Sequence, residues 1–461
     1  MRSSKFCILL IGLLYSTFIS CQGNTGDFYP PTVMPDRIIL TLTEDPATSI
    51  GINWRTSLAV TEGTVQITIA TGGPEIRDTF VAIQATTSAL LSDMSGANYH
   101  SVVVKDLAPS TKYAYRVGHD NYWSEWAHFK TGPTDESAIS FIYFGDAQND
   151  VKSMWSRTIR GAYSQMPKAD FLLHAGDLIN RPNRDHEWGE WFYAGGWIYR
   201  MMPSIATPGN HEYQYVSQDE RTLSRHWNPT FTLPKNGPER LKETVYTIDY
   251  PNIKIISLNS QAFKGSKEDS TAQVDWFKAI LENNDKKWTI VTMHHPIFSS
   301  SVGRDNVRLR NAFQPLFEEY GVDIVLQGHD HTYGRGTNLP LGKRKTLAGP
   351  MYVVSVSGPK MYPSGLSDWM QRAAANTQLY QLLTVEGDEL RFKAYTAADE
   401  LYDAFTIAKQ ADGSNRFIDQ APDAMEERLE IPPRYIKSLS DENLEEYKTR
   451  FKAYKERNNK N

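Results

Sequence analysis

The chain has 461 residues, of which 40% are hydrophobic, 12% aromatic and 22% charged. That length exceeds what one core covers, so two or three domains are expected, and the composition excludes disordered, collagenous and polytopic membrane classes. The formal charge of −5 at pH 7 gives no general attraction to phosphate backbones, and the only cysteines, Cys7 and Cys21, leave no disulfide framework, Cys-ligated zinc or thiol nucleophile in the body.

Residues 1–21 read as a secretory leader: Arg2 and Lys5 form a basic start, and an apolar run from Phe6 to Phe18 follows, too short for a comfortable transmembrane helix. Phe18-Ile19-Ser20-Cys21 resembles a bacterial lipoprotein signal, although Phe18 stands where Leu is usual. The resemblance implies cleavage before Cys21 and acylation of its thiol. The protein would then be exported to the cell envelope, periplasm or outer surface, and anchored by lipid. Ordinary secretion is the alternative. Residues 22–31 are polar with Gly and Pro and read as a tether.

Over residues 32–131, apolar positions alternate at Ile50, Ile52 and Trp54, at Val65, Ile67 and Ile69, and at Tyr113, Tyr115 and Val117. Turn signals separate these runs, and a small all-β sandwich is expected. Trp54, Trp123 and Trp126 read as core, with a sugar-binding platform as the other reading.

Over residues 138–402 the pattern becomes α/β. Strands are expected at Ile139–Phe144, Phe171–Leu173, Ile253–Leu258, Thr289–Met293 and Ile324–Leu326, helix-like spacing at Val274–Leu281 and Leu309–Tyr320, and a hairpin at Tyr380–Val385 and Leu390–Tyr395. Residues 403–461 form a C-terminal extension. Its last segment, Ser440–Arg457, predicts a capped helix with Leu444, Tyr447, Phe451 and Tyr454 on one face.

Four α/β strands, and the short run Pro203–Ala206, each end in a cluster of metal-ligand residue types. These are Gly145-Asp146-Ala147-Gln148, Gly176-Asp177, Gly209-Asn210-His211-Glu212, His294-His295-Pro296 and Gly328-His329-Asp330-His331. Ligands bind outside the carboxyl ends of strands in such sheets, so the ends can converge on one site. Carboxylate, amide and imidazole suit a pair of cations. Glycine before Asp146, Asp177, Asn210 and His329 lets the chain turn sharply at the rim. His329 and His331, read as extended, face one side and can supply both metals, whereas only one of His294 and His295 can.

With these residues in order, the chain resembles the calcineurin-like metallophosphoesterases, and within them the purple acid phosphatases. Gly328-His329-Asp330-His331-Thr332-Tyr333-Gly334-Arg335 looks like that subfamily's last block. Ile52-Asn53-Trp54-Arg55-Thr56 and Tyr113-Ala114-Tyr115-Arg116-Val117-Gly118 look like its fibronectin-III-like leading domain. The resemblance implies an αββα metallophosphoesterase sandwich behind the all-β domain, holding two metal ions of Fe, Zn or Mn type. Asp146 and His331 would hold the first, Asn210, His294 and His329 the second, with Asp177 bridging. His211 would contact the phosphate or protonate the leaving oxygen. His295 reads as a residue beside the metals or at the surface.

Two positions depart from the family. Asn180 stands where purple phosphatases carry a tyrosine ligand, so no purple colour is expected. Gln148 stands where relatives carry histidine or glycine. Either amide could ligate the first metal, or neither. The implied activity is an acid phosphatase-like phosphomonoesterase, a phosphate ester hydrolase whose metals furnish hydroxide as nucleophile. Alternatives are a phosphodiesterase of the same superfamily and a non-enzymatic envelope protein binding through its sandwich. Arg304 and Asn306 are candidate phosphate contacts or solvated loop residues. Trp188, Trp191, Tyr213 and Tyr215 either wall the pocket or pack beneath it. Oligomeric state is not readable.

Overall fold

A computed structural model describes residues 29–217, 220–337, 346–347, 349–422, 425–437 and 439–458. The expected leader and Cys21 lie outside the described residues. Of the tether, residues 29–31 are described, and the Tyr29 carbonyl accepts from Arg55 Nη2 at 2.8 Å. Among the described residues no helix is long and apolar enough to cross a membrane.

The leading unit is a β-sandwich. One of its sheets pairs Thr64–Ile69 with Val81–Gln84 and Lys112–His119, and Lys112–His119 also pairs with Tyr122–Trp123 and Ala127–Lys130. The other contains Asp36–Thr41, Ile50–Ser57, Gly96–Val104 and Thr86–Leu91. Trp54 is buried and stacks on His100. Trp123 and Trp126 instead flank Arg116, whose guanidinium lies 4.9 Å from each ring centre. Both rings are half-buried and share this cation, so of the three tryptophans only Trp54 is core.

The second sandwich sheet does not end at a linker. Asp36–Thr41 pairs in parallel with Ser204–Ala206, through Thr41 opposite Ser204, so the sheet runs on into the α/β unit. It continues through Phe171–His174, Ile139–Phe144, Leu379–Glu386, Glu389–Thr396, Leu401–Lys409, Asn415–Asp419 and Thr346–Leu347. A second, seven-stranded sheet contains Tyr246–Asp249, Ile253–Leu258, Trp288–Met293, Ile324–Gln327, Met351–Val354, Tyr333–Gly336 and Met370–Ala374. The two sheets face each other. Alternation along their strands sends Ile290, Ile324 and Val353 to the core shared with Phe141 and Leu172, and Val291, Val325 and Tyr352 to the helices outside. Lys267–Glu282 and Val307–Glu319 cover the outer face of the shorter sheet through Phe277, Leu281, Phe313 and Phe317. This is the expected α/β sandwich behind an all-β domain.

Three expectations change. The boundary at residue 402 falls inside Leu401–Lys409, whose alternating Tyr402, Phe405 and Ile407 belong to the main core. The helices Ser156–Gln165 and Asp185–Gly195 were not among the expected elements; the second buries Asp185 and Glu187 as well as Trp188, Trp191 and Phe192. The terminal helix spans Asp441–Asn458 and buries Tyr447 and Tyr454, but Phe451 is 38% exposed. Tyr447 and Tyr454 reach Leu429 O and the Glu427 carboxylate through their hydroxyls.

Candidate metal centre

Parallel pairing aligns the strand ends. Phe144 stands opposite His174, and His174 opposite Ala206, while Met293 stands opposite Gln327, and Gln327 opposite Val354. The chain beyond each end therefore emerges at one rim. Tyr143 Oη fastens the two sheets there, accepting from Gln327 N at 3.0 Å.

At this rim the structure brings Asp146, Asp177, Asn210, His294, His329 and His331 together. Two groups have ligand atoms mutually within 4.8 Å: Asp177, His294 and His329, and Asp146, Asp177 and His331. Asp177 belongs to both. In the first group His294 Nε2 lies 3.2 Å from Asp177 Oδ2, 3.1 Å from His329 Nδ1 and 3.2 Å from Asn210 Oδ1. In the other, His331 Nε2 lies 3.3 Å from Asp146 Oδ2. Two ligands at right angles on one cation, each about 2.1 Å from it, stand roughly 3.0 Å apart. The observed separations fit that requirement. Asp146 Oδ2, though buried, has no hydrogen-bond partner among the described residues, as suits an oxygen reserved for a cation.

The supporting contacts fix which atoms are offered. His294 Nδ1 donates to Ala175 O at 2.9 Å, which leaves the Nε2 lone pair facing the group. His329 N donates to Asp146 Oδ1 at 2.6 Å, and His211 N to Asp177 Oδ1 at 2.8 Å, so each carboxylate keeps its other oxygen inward. Charge is balanced on the same logic. Burial pushes the Asp146 carboxyl up to about 7, and Asp177 adds to this against the pull of His294. Burial opposes a charge on His294 too, yet Asp177 and Asp146 outweigh it and raise that imidazole to about 9, so a cation that takes the Nε2 lone pair must displace a proton from it. Asp177 stays far below the usual carboxylate range despite its burial, because His294 and His211 stabilise its charge. Burial keeps His329 and His331 neutral, with lone pairs available.

Backbone geometry departs from the extended reading of the last cluster. His329 and His331 have φ of 75° and 50°, and Asp177 has 53°. These left-handed conformations, each costing roughly 1–2 kcal/mol for an L-residue, turn the two imidazoles toward different groups. Of the glycines at the rim, Gly176 turns sharply as expected, with φ of 88°, and others act differently. Gly209 and Gly328 do not have positive φ; they provide room, since a Cβ would stand 2.2 Å from Asp177 Oδ1 at Gly209 and 2.3 Å from Asp146 Oδ1 at Gly328.

His211 is half-buried, and its Nδ1 donates to Asn180 O at 2.6 Å. Nε2 is thereby the ring nitrogen left for a substrate atom. Asn180 thus contributes its carbonyl, and its own N–H is held by Glu187 at 2.8 Å. His295 is buried against His329, with Nδ1 2.9 Å from Ser260 Oγ. Arg304 does not project freely: it donates to His329 O at 2.7 Å and to Asp330 Oδ1 at 3.2 Å. Asn306 donates to Pro296 O, and Trp188 and Trp191 are fully buried beneath the site. Tyr213 and Tyr215 do wall a cavity of about 1010 Å3 that opens from Asn210, His295 and His329, with Arg221 and Lys264 on its sides.

Sequence reasoning assigned nothing to Glu212 or Asp330. Glu212 accepts from Gly209 N, Asp177 N and Leu178 N at 2.7–2.9 Å, tying two ligand loops together. Asp330 accepts from Ser299 Oγ and Ser300 N and so carries the loop of His329 and His331. Both sit inside recognised clusters, which was the available signal.

Comparison with known proteins adds the following. Residues 35–131 match the family described as "Purple acid Phosphatase, N-terminal domain", and residues 141–333 the family "Calcineurin-like phosphoesterase". "Purple acid phosphatase 21" of Arabidopsis thaliana is 29% identical over 294 residues, 62% of this chain and 63% of that protein. "Acid phosphatase type 7" of Homo sapiens is 25% identical, over 72% of this chain and 76% of that protein. The chain thus spans less than two thirds of the first of these relatives. A purple acid phosphatase from yellow lupin (Lupinus luteus) seeds superposes with a TM-score of 0.68 at 20% identity, covering 82% of this chain and 75% of that one. The structure of PhoD superposes with a TM-score of 0.62 at 12% identity, covering 91% and 98%. These two similarities concern the fold.

Proposed function

Since this chain belongs to the calcineurin-like phosphoesterases, with a purple acid phosphatase N-terminal domain ahead of the catalytic one, we propose that it hydrolyses phosphate monoesters at a dinuclear metal centre. The observation that carries this reading is the single carboxylate, Asp177, shared by two ligand groups. Asp146, Asp177 and His331 would hold one ion, and Asp177, Asn210, His294 and His329 the other. The donor set, nitrogen and oxygen without thiolate, suits Zn, Mn or Fe. Bound there, the ions would supply Lewis-acid polarisation of the phosphate and an acidified water.

The chain's own residues do the rest. The cavity admits the ester beside Asn210 and His329, and Arg221 and Lys264 favour an anionic substrate electrostatically. His211, fixed by Asn180 O and backed by Asp177, donates its Nε2 proton to the departing alkoxide. Glu212 and Asp330 hold the ligand loops so that little rearrangement accompanies the reaction. The leader pattern and Cys21 support export and lipid anchoring as part of the same proposal: an envelope enzyme acting on external phosphate esters.

Metal analysis with p-nitrophenyl phosphate and bis(p-nitrophenyl) phosphate tests this. Two ions per chain, faster turnover of the monoester, and a loss of about 100-fold or more in kcat for His211→Ala are expected. Faster turnover of the diester would move the assignment to a phosphodiesterase. Metal-loaded protein inert to both would leave a binding protein.

A further inference from the structure

Four protein groups surround the second cation position, but only three, Asp146, Asp177 and His331, have been placed at the first. Gln148, which follows Asp146 by two residues, is fully buried. Its terminal amide Nε2 lies 2.9 Å from Asp177 Oδ2 and 3.0 Å from His331 Nε2. Those are the two atoms that would bind the first ion, and the separations match neighbouring ligands on one cation, roughly 3.0 Å.

We propose that Gln148 is the fourth protein ligand of the first metal, through its amide oxygen, in a position set by Asp146, Asp177 and His331. The inference rests on the dinuclear reading above.

The argument concerns lone pairs. With Nε2 inward, the amide N–H groups take lone pairs of Asp177 Oδ2 and His331 Nε2, the atoms aimed at the site. Oε1 then finds no partner among the described residues in a buried position, and neither does His331 Nδ1. A half-turn of the amide exchanges its oxygen and nitrogen in the same volume. One amide atom faces away in either orientation, but only with oxygen inward do Asp177 and His331 keep lone pairs for a cation. An amide oxygen is a hard neutral donor of the kind Asn210 offers to the other ion, so the two positions become alike in donor type.

A role confined to hydrogen bonding would leave the metal's own spectrum largely unmoved. The test is therefore the Co2+-loaded protein, read by its d–d absorption and by metal retained after dialysis against dipicolinate. Wild type is compared with Gln148→Leu, which removes the donor, and Gln148→Glu, which keeps the shape and offers a carboxylate. Two Co2+ are expected in wild type. Gln148→Leu is expected to lose one of them roughly tenfold or more readily, and Gln148→Glu to shift the bands of one ion while holding it at least as firmly. If either folded variant keeps two ions with the wild-type bands, the proposal is overturned while the dinuclear reading stands. Fewer than two ions in wild type would overturn both.

Discussion

At the scale of single residues, the rim shows how burial selects protonation states, and the same rule applies beneath it. His174, at the end of its strand, is enclosed by Phe144, Trp155, Trp191 and Tyr199, and neither ring nitrogen has a hydrogen-bond partner among the described residues. Burial pushes this imidazole down to about 3 from an ordinary 6.5. Between those values the unfolded chain binds a proton that the folded chain refuses. His174 therefore imposes no penalty above pH 6.5, and stability falls as pH drops below it, by up to about 1.4 kcal/mol per pH unit until pH 3 is approached. Urea midpoints measured at pH 7 and pH 5 should diverge less in His174→Leu than in wild type, and equal divergence would contradict this account.

At the scale of elements, the helix Asp185–Gly195 links the sandwich to the site. Asp185, at its first turn, accepts from Arg37 Nη1 and Nη2 at 2.8 and 2.7 Å and lies 3.3 Å from Arg55 Nη1 and 3.1 Å from His226 Nε2. Both arginines come from sandwich strands and are buried. Two residues on, Glu187 holds Asn180 N and Arg181 N, the loop whose carbonyl orients His211. Asp185→Ala would leave the Arg37 guanidinium without its carboxylate in the interior, whereas Arg55 keeps its pair with Asp36 at 2.6 Å. A loss of about 3–5 kcal/mol is expected, read as a lower urea midpoint, with Asp185→Asn intermediate. A loss under about 1 kcal/mol would mean that water enters the cluster.

At the scale of the whole molecule, the leading domain and the α/β unit share a sheet and a core. Ile39, Leu40, Ile52 and Trp54 belong to the same buried cluster as Phe141, Leu172 and Ile205. Further hydrogen bonds cross the junction, from Asn53 Nδ2 to Pro229 O at 3.1 Å and from Tyr115 Oη to Arg200 O at 2.8 Å. Calorimetry should accordingly show one cooperative transition covering both units; two resolved transitions would show that the shared sheet does not couple them.

Much of this was legible beforehand because it is local. Apolar runs marked Ile139–Phe144 and Ile253–Leu258 with their observed bounds, and glycine beside a ligand residue marked the rim. The helix Asp185–Gly195 was not legible, since its buried carboxylates are explained only by arginines distant in the chain. By itself the sequence determined the class of strands, the order of the ligand clusters and the donor types they contain, all carried by neighbouring residues. Tertiary structure alone decided that His329 and His331 turn apart through positive φ, that Gln148 reaches their group, and that two domains close on one core. Those properties are distances between side chains on separate strands, and they exist only once the sheets have brought the strand ends to one rim.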